Sequence, residues 1–132
     1  MANPLALIGV LLEVAEDELD GTAEELAKGI EVVGDDEVPP GYAADFEAAA
    51  SCPDPEERAA MLGAWVICHQ PFPRRNLEIG HGFMRRLLAE AEIPWPWPYD
   101  DPEVEAMLRR LEAGEIDVAK FADWARLRAA TA

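Results

Sequence analysis

The stretch HQPFPRRNLEIGHGF, residues His69–Phe83, decides how this chain is read. It holds both histidines, two prolines and an arginine pair, and it separates two segments of helical periodicity. Upstream, Asp54-Pro55-Glu56-Glu57 is a helix-start pattern, with Asp54 as N-cap, Pro55 as first helical residue and Glu57 completing a capping box. Met61, Leu62, Trp65 and Val66 form the buried stripe of that helix. Pro71 and Pro73 break it, because proline lacks the amide hydrogen and its ring clashes with the preceding turn. Downstream, Phe83, Met84, Leu87, Leu88 and Ala91 give a helix from about Asn76 to Glu92. Gly80 and Gly82 sit early in it, and each costs roughly 1 kcal/mol against alanine in a helix interior. Their presence predicts close packing against a neighbour, or a fraying first turn.

Reading outward, nearly every segment is helical. Leu5, Ile8, Leu12 and Ala15 recur at helical spacing and Leu19 lies a turn beyond. Thr22 with Glu25 is a second capping box, followed by the stripe Leu26, Ile30, Val33. Asp35-Asp36-Glu37 and Pro39-Pro40-Gly41 read as a loop, with a short helix expected around Phe46. Towards the C-terminus, Pro94-Trp95-Pro96-Trp97-Pro98 reads as an extended, polyproline-like crossing. Asp101-Pro102-Glu103 starts a helix with Val104, Met107, Leu108 and Leu111 on its face, and Gly114 stops it. Asp117 caps the last helix, whose expected apolar side is Phe121, Trp124 and Leu127. No repeat and no clean two-residue alternation interrupts this pattern. The fold class is therefore all-α, a compact bundle of about six helices in one domain over residues 1–132.

Charge narrows the partners. The chain of 132 residues carries a net charge of −16. Residues 1–60 carry 16 acids against 2 bases, residues 61–96 carry 3 against 4, and residues 97–132 carry 8 against 5. The only third that is not acidic contains the opening stretch. Such a balance opposes general affinity for nucleic acid or anionic lipid. The apolar run Leu5–Leu12 is too short to span a membrane, has no positive residue before it and has acids directly after it. These features, with two cysteines that form no paired motif, predict a cytoplasmic protein with buried thiols rather than a disulfide framework.

Two pieces carry a family resemblance. One is Gln70-Pro71-Phe72-Pro73-Arg74-Arg75-Asn76, followed by the amphipathic helix that ends Arg85-Arg86-Leu87-Leu88. The other is Ala113-Gly114-Glu115-Ile116-Asp117-Val118, with Ala122-Asp123 and Arg126 after it. In this order they resemble the Fic family, in particular its short death-on-curing (Doc) branch, over roughly residues 55–130. The resemblance implies a helical Fic/Doc-like fold and a group transfer from a nucleotide, ATP or GTP, to a protein hydroxyl. It also implies a bacterial or phage toxin acting on a translation component, as Doc-type toxins phosphorylate elongation factor Tu, with an antitoxin as the controlling partner.

The family motif is H-x-F-x-D/E-x-N-x-R-x-x-R. Phe72 falls on its phenylalanine and Asn76 on its asparagine. Gln70 falls on the histidine that takes the hydroxyl proton, Arg74 on the acid that holds magnesium, and Glu78 and His81 on the two arginines. Glutamine does not titrate near neutral pH, so it is no general base. Arginine repels the magnesium that a carboxylate would bind. Glu78 in the first helical turn competes with a phosphate there. The degenerate motif thus opposes the metal-dependent chemistry, and no protein metal ligands are assigned.

Several residues keep two readings. His69 replaces the base if the loop is shifted by one residue; otherwise it is a helix-end histidine on the face of Met61 and Trp65. His81 is either catalytic or packed beside its glycines. Arg74, Arg75, Asn76 and Arg85 either form a metal-free anion site, or the arginines pair with the chain's own acids. Trp95 and Trp97 are partner-binding anchors if exposed, and a clip over the core if buried. Two functional classes follow: a divergent toxin, or a catalytically dead Fic-fold protein that binds another protein.

Overall fold

The computed structural model describes residues 4–19, 40–72 and 74–132. These form six helices: α1 (Pro4–Leu19), α2 (Pro40–Ala50), α3 (Pro55–His69), α4 (Asn76–Glu90), α5 (Pro102–Glu112) and α6 (Val118–Ala129). The described residues contain no strand, and the all-α class holds. The capping box at Thr22 and the stripe Leu26, Ile30, Val33 lie outside the described residues. Pro40, read as loop, is instead the first residue of α2, a position that suits proline because the first amide of a helix has no internal partner.

The two helices flanking the opening stretch make the centre. α3 packs most heavily on α4, and its faces serve two cores. Leu62, Trp65 and Val66 join Leu11 of α1, Phe46 of α2 and Phe83 of α4 in one cluster. Ala59, Ala60, Ala64 and Ile67 join Met84 and Leu88 of α4, Leu108 of α5, and Phe121 and Ala125 of α6 in the other. A helix apolar on nearly all sides belongs in the interior, and α3 is that helix.

Glycine explains the closeness of the central pair. A Cβ at Gly63 would lie 2.8 Å from the Gly80 carbonyl oxygen, and one at Gly80 would lie 2.8 Å from the Gly63 carbonyl oxygen. The backbones of α3 and α4 therefore touch where both side chains are missing. The packing reason for Gly80 holds, and Gly63 is its unforeseen partner.

Side-chain caps mark the remaining ends. Asp54 accepts from the Glu56 amide at 3.2 Å, Asp101 from the Glu103 and Val104 amides at 3.1 Å each, and Asp117 from the Lys120 amide at 2.8 Å. Gly114 ends the turn after α5 at φ +75, where side chains other than glycine are strained.

One expected core residue is outside. Leu127 is 71% exposed, and the buried face of α6 is Phe121, Ala122, Ala125 and Ala129. At about 100° per residue, Leu127 lies roughly 240° round the helix from Phe121, whereas Ala125 lies about 40° away. The thiols also differ from expectation: Cys52 and Cys68 are both free, but Cys68 is exposed and Cys52 half-buried.

Candidate functional site: the loop cleft between α3 and α4

The loop leaves α3 and enters α4 through two left-handed residues. Gln70 has φ 49 and ψ 59, and its amide closes the last turn of α3 on the Val66 carbonyl. Arg75 has φ 60 and ψ 31 at the N-terminus of α4, with no side-chain cap. Such backbone in non-glycine residues costs of order 1 kcal/mol or more each, so the surroundings must hold it.

Asn76 does much of the holding. Its side chain is buried, with Oδ1 accepting from the Phe72 amide at 3.1 Å and Nδ2 donating to the Phe72 carbonyl at 3.0 Å. The Phe72 ring is buried in the first core cluster. The two motif residues that survive are thus bonded to one another, ring inward and loop clasped. Each polar atom of the Asn76 side chain thus makes one bond within its own loop, which holds the loop's shape.

Beside this clasp lies a cleft of about 290 Å³. Gln70, Arg74, Arg75 and Glu78 line it from the loop side, and Tyr99, Arg109 and Glu112 from across. The Gln70 amide donates to Glu112 Oε2 at 3.3 Å. Arg75 is held by three acceptors: its Nη1 donates to the Glu18 carbonyl at 2.6 Å, its Nη2 lies 3.1 Å from the Glu18 carboxylate, and its Nε donates to Glu78 at 2.8 Å. Arg109 lies 3.0 Å from Glu105. Tyr99 has its phenol pushed up to about 12, by burial first and then by the charge of Glu78 and a hydrogen bond to it.

The histidines stand apart from this chemistry. His69 does not line the cleft. Its ring lies against Trp65, centroids 5.2 Å apart, and its Nε2 is 3.6 Å from Asp45 of α2. Burial holds its imidazole below the ordinary value, with Asp45 working in the opposite direction. His69 thus stands at the end of α3, against Trp65 and near Asp45.

His81 is 3% exposed, and its Nε2 accepts from the Trp95 indole N–H at 3.0 Å. Burial, with the positive charge of Arg85 second, pushes its imidazole down to about 4. It is a neutral acceptor fixing the crossing segment to α4.

Trp95 is accordingly a core residue, 6% exposed and edge-on to Trp97 and Trp124. Trp97 is half-buried, with the Arg128 guanidinium 4.3 Å over its ring. Trp95 is thus the residue of the Trp-Pro segment that is buried in the core.

Of the four residues grouped as an anion site, the structure brings Arg74, Arg75 and Asn76 together and leaves Arg85 out. Arg85 lines a different groove, between α1 and α4, with Val14, Asp17, Glu18 and Arg86. Arg86 pairs with Glu13 at 2.9 Å and lies 3.5 Å from Glu90. Arg109, Tyr99 and Glu112 complete the cleft and were not legible in the sequence as site residues. Arg109 reads there as the base of an ordinary helical pair with Glu105, and nothing local shows that α5 crosses the loop.

Among the described residues no three His, Cys, Asp or Glu side chains are grouped to hold a metal ion, and no helix is long and apolar enough to cross a membrane. Compared with protein-family models, with curated proteins and with solved structures, the chain matches none.

Proposed function

We propose that this chain is a Doc-like protein of the toxin–antitoxin kind that acts by binding a protein partner, an antitoxin or a translation component, without metal-dependent group transfer. The observation that carries this is the Asn76–Phe72 clasp. The residue that would cradle phosphate in the family instead holds its own loop, while Gln70 and Arg74 occupy the positions of base and metal ligand. The neutral, buried His81 adds that the last motif position supports the core. What remains at the loop is a set of donors fit for recognition.

The test is expression of the chain with and without its neighbouring genes. Normal growth, with a stoichiometric protein partner recovered and lost on changing Arg74 and Arg109 to alanine, supports this reading. A second reading keeps the toxin activity, with ATP or GTP held in the cleft by Arg74, Arg75 and Arg109 without metal; the three guanidinium groups lining one cleft favour it. Growth arrest relieved by Arg74→Ala or His69→Ala would select that second reading.

A further inference from the structure

We propose that the crossing segment Pro94–Tyr99 is an acid-released strap, which lifts off α4 as a unit while the helices stay folded. The device follows from how the segment is attached and is independent of what the loop cleft binds. Among the described residues, the backbone bonds of this stretch lie at its two ends. The Ile93 amide donates to the Leu88 carbonyl at 2.9 Å, and the Asp101 amide to the Pro98 carbonyl at 3.2 Å. Pro94, Pro96 and Pro98 carry no amide hydrogen. Between the ends, side chains hold the stretch. Trp95 donates to His81 Nε2 at 3.0 Å, the Trp97 ring lies under the Arg128 guanidinium, and the Tyr99 phenol is bonded to Glu78. The helices on either side close without it: the Ala91 amide completes the end of α4, and Asp101 caps the start of α5. Lifting the strap therefore breaks no helical hydrogen bond.

His81 is the release. With Nε2 accepting from Trp95, the neutral ring carries its proton on Nδ1. A second proton, taken from solvent, lands on Nε2 itself. Two N–H donors then face each other and the bond to Trp95 breaks. The charged ring is also buried, where it lacks water. Its neighbours give no relief. Arg85, a turn further along α4, adds a like charge. The strap presents the rings of Trp95 and Tyr99, at 6.2 and 6.4 Å between centroids. Glu78, a turn earlier on α4, is engaged by Tyr99, on which Arg109 and Glu105 of α5 also act. α3 meets this part of α4 through Gly63 and Ile67, and α6 presents the Trp124 ring to Trp95. Lifting the strap removes the competing donor and lets water reach the imidazolium. Tyr99 lines the loop cleft, so the open state also lacks that wall.

The sign follows from the two states. With the strap down the ring's value is about 4, and in water it is about 6.5. Acid therefore favours the open state, about tenfold for each pH unit below about 6.5, until the closed ring itself titrates. Above that range the opening does not depend on this group.

The experiment is hydrogen exchange of the full chain by NMR at low urea concentrations, between about pH 5 and 7.5. It follows the Trp95 indole N–H and, as markers of the whole fold, the amides of Leu62 and Val66 in α3. The inference expects the indole proton to exchange with little dependence on urea, because a local opening exposes little surface. Its protection is expected to fall about tenfold from pH 6 to 5, while the α3 amides stay better protected and depend steeply on urea. In His81→Gln, which keeps an acceptor for Trp95, the indole protection is expected to be the same at both pH values. The inference is overturned if the indole proton shares the protection and urea dependence of the α3 amides, since the strap then leaves only with the whole fold. It is overturned as well if the indole protection does not fall with pH, or falls equally in the variant. If His81→Gln does not fold, the urea and pH dependence of the wild type decide alone.

Discussion

Asn76 shows how much one residue's role turns on where its two polar atoms go. In the sequence it is a motif asparagine; in the structure both atoms bond to Phe72. Asn76→Ala leaves a buried amide and carbonyl without those partners, and unfolding by denaturant is expected to show a loss of about 2 kcal/mol. Gln70 is the opposite case. It sits at φ 49 and its side chain makes only an exposed bond of 3.3 Å. Gln70→Gly removes the left-handed penalty and is expected to raise stability by about 0.5–1 kcal/mol in the same assay.

At the same scale, His81 sets a pH dependence with a definite sign. Its folded value of about 4 lies below the ordinary 6.5, so folding favours the neutral ring. Between those values the unfolded chain takes up a proton that the folded chain refuses. The contribution is complete above pH 6.5 and is lost as pH falls towards 4, by on the order of 3 kcal/mol. The carboxylates titrate nearby, so the check is a comparison: in His81→Gln, which keeps an acceptor for Trp95 but does not titrate, stability between pH 7 and 5 should decline less than in the wild type.

Among elements, the contact of α3 with α4 is the most demanding. Gly63→Ala and Gly80→Ala each push a methyl group to within 2.8 Å of a carbonyl oxygen of the facing helix. Backbone must shift, and thermal melts should show each variant destabilised by about 1–3 kcal/mol. The helices themselves were legible because capping and periodicity are local: Asp54, Asp101 and Asp117 announce three starts, and Pro71 with Gly114 two stops. Pro40 misled because a proline at a helix start and one in a loop look alike from sequence. Leu127 misled because hydrophobic character was followed where the angle round the helix, filled by alanines, decides burial. The cleft was half legible. Arg74, Arg75 and Asn76 are adjacent in sequence, but Arg109 on α5 and Tyr99 in the segment before it reach the cleft through the packing of those parts on α4, which leaves no local mark.

For the whole molecule, the one non-acidic third of the sequence, residues 61–96, contains the helix–loop–helix at the centre of the fold. The resemblance to Doc proteins implies an outline in which this loop does magnesium-dependent chemistry; the loop's own bonds, from Asn76 to Phe72, hold its shape, and the proposed function gives it recognition in place of that chemistry. That contrast is the central claim, and calorimetry of the purified chain with ATP and GTP, with and without Mg²⁺, tests it most directly. The account predicts no Mg²⁺-dependent heat of binding for either nucleotide, in the wild type or in Arg74→Ala. Saturable binding that requires Mg²⁺ and disappears in Asn76→Ala, with the fold intact by circular dichroism, would contradict it.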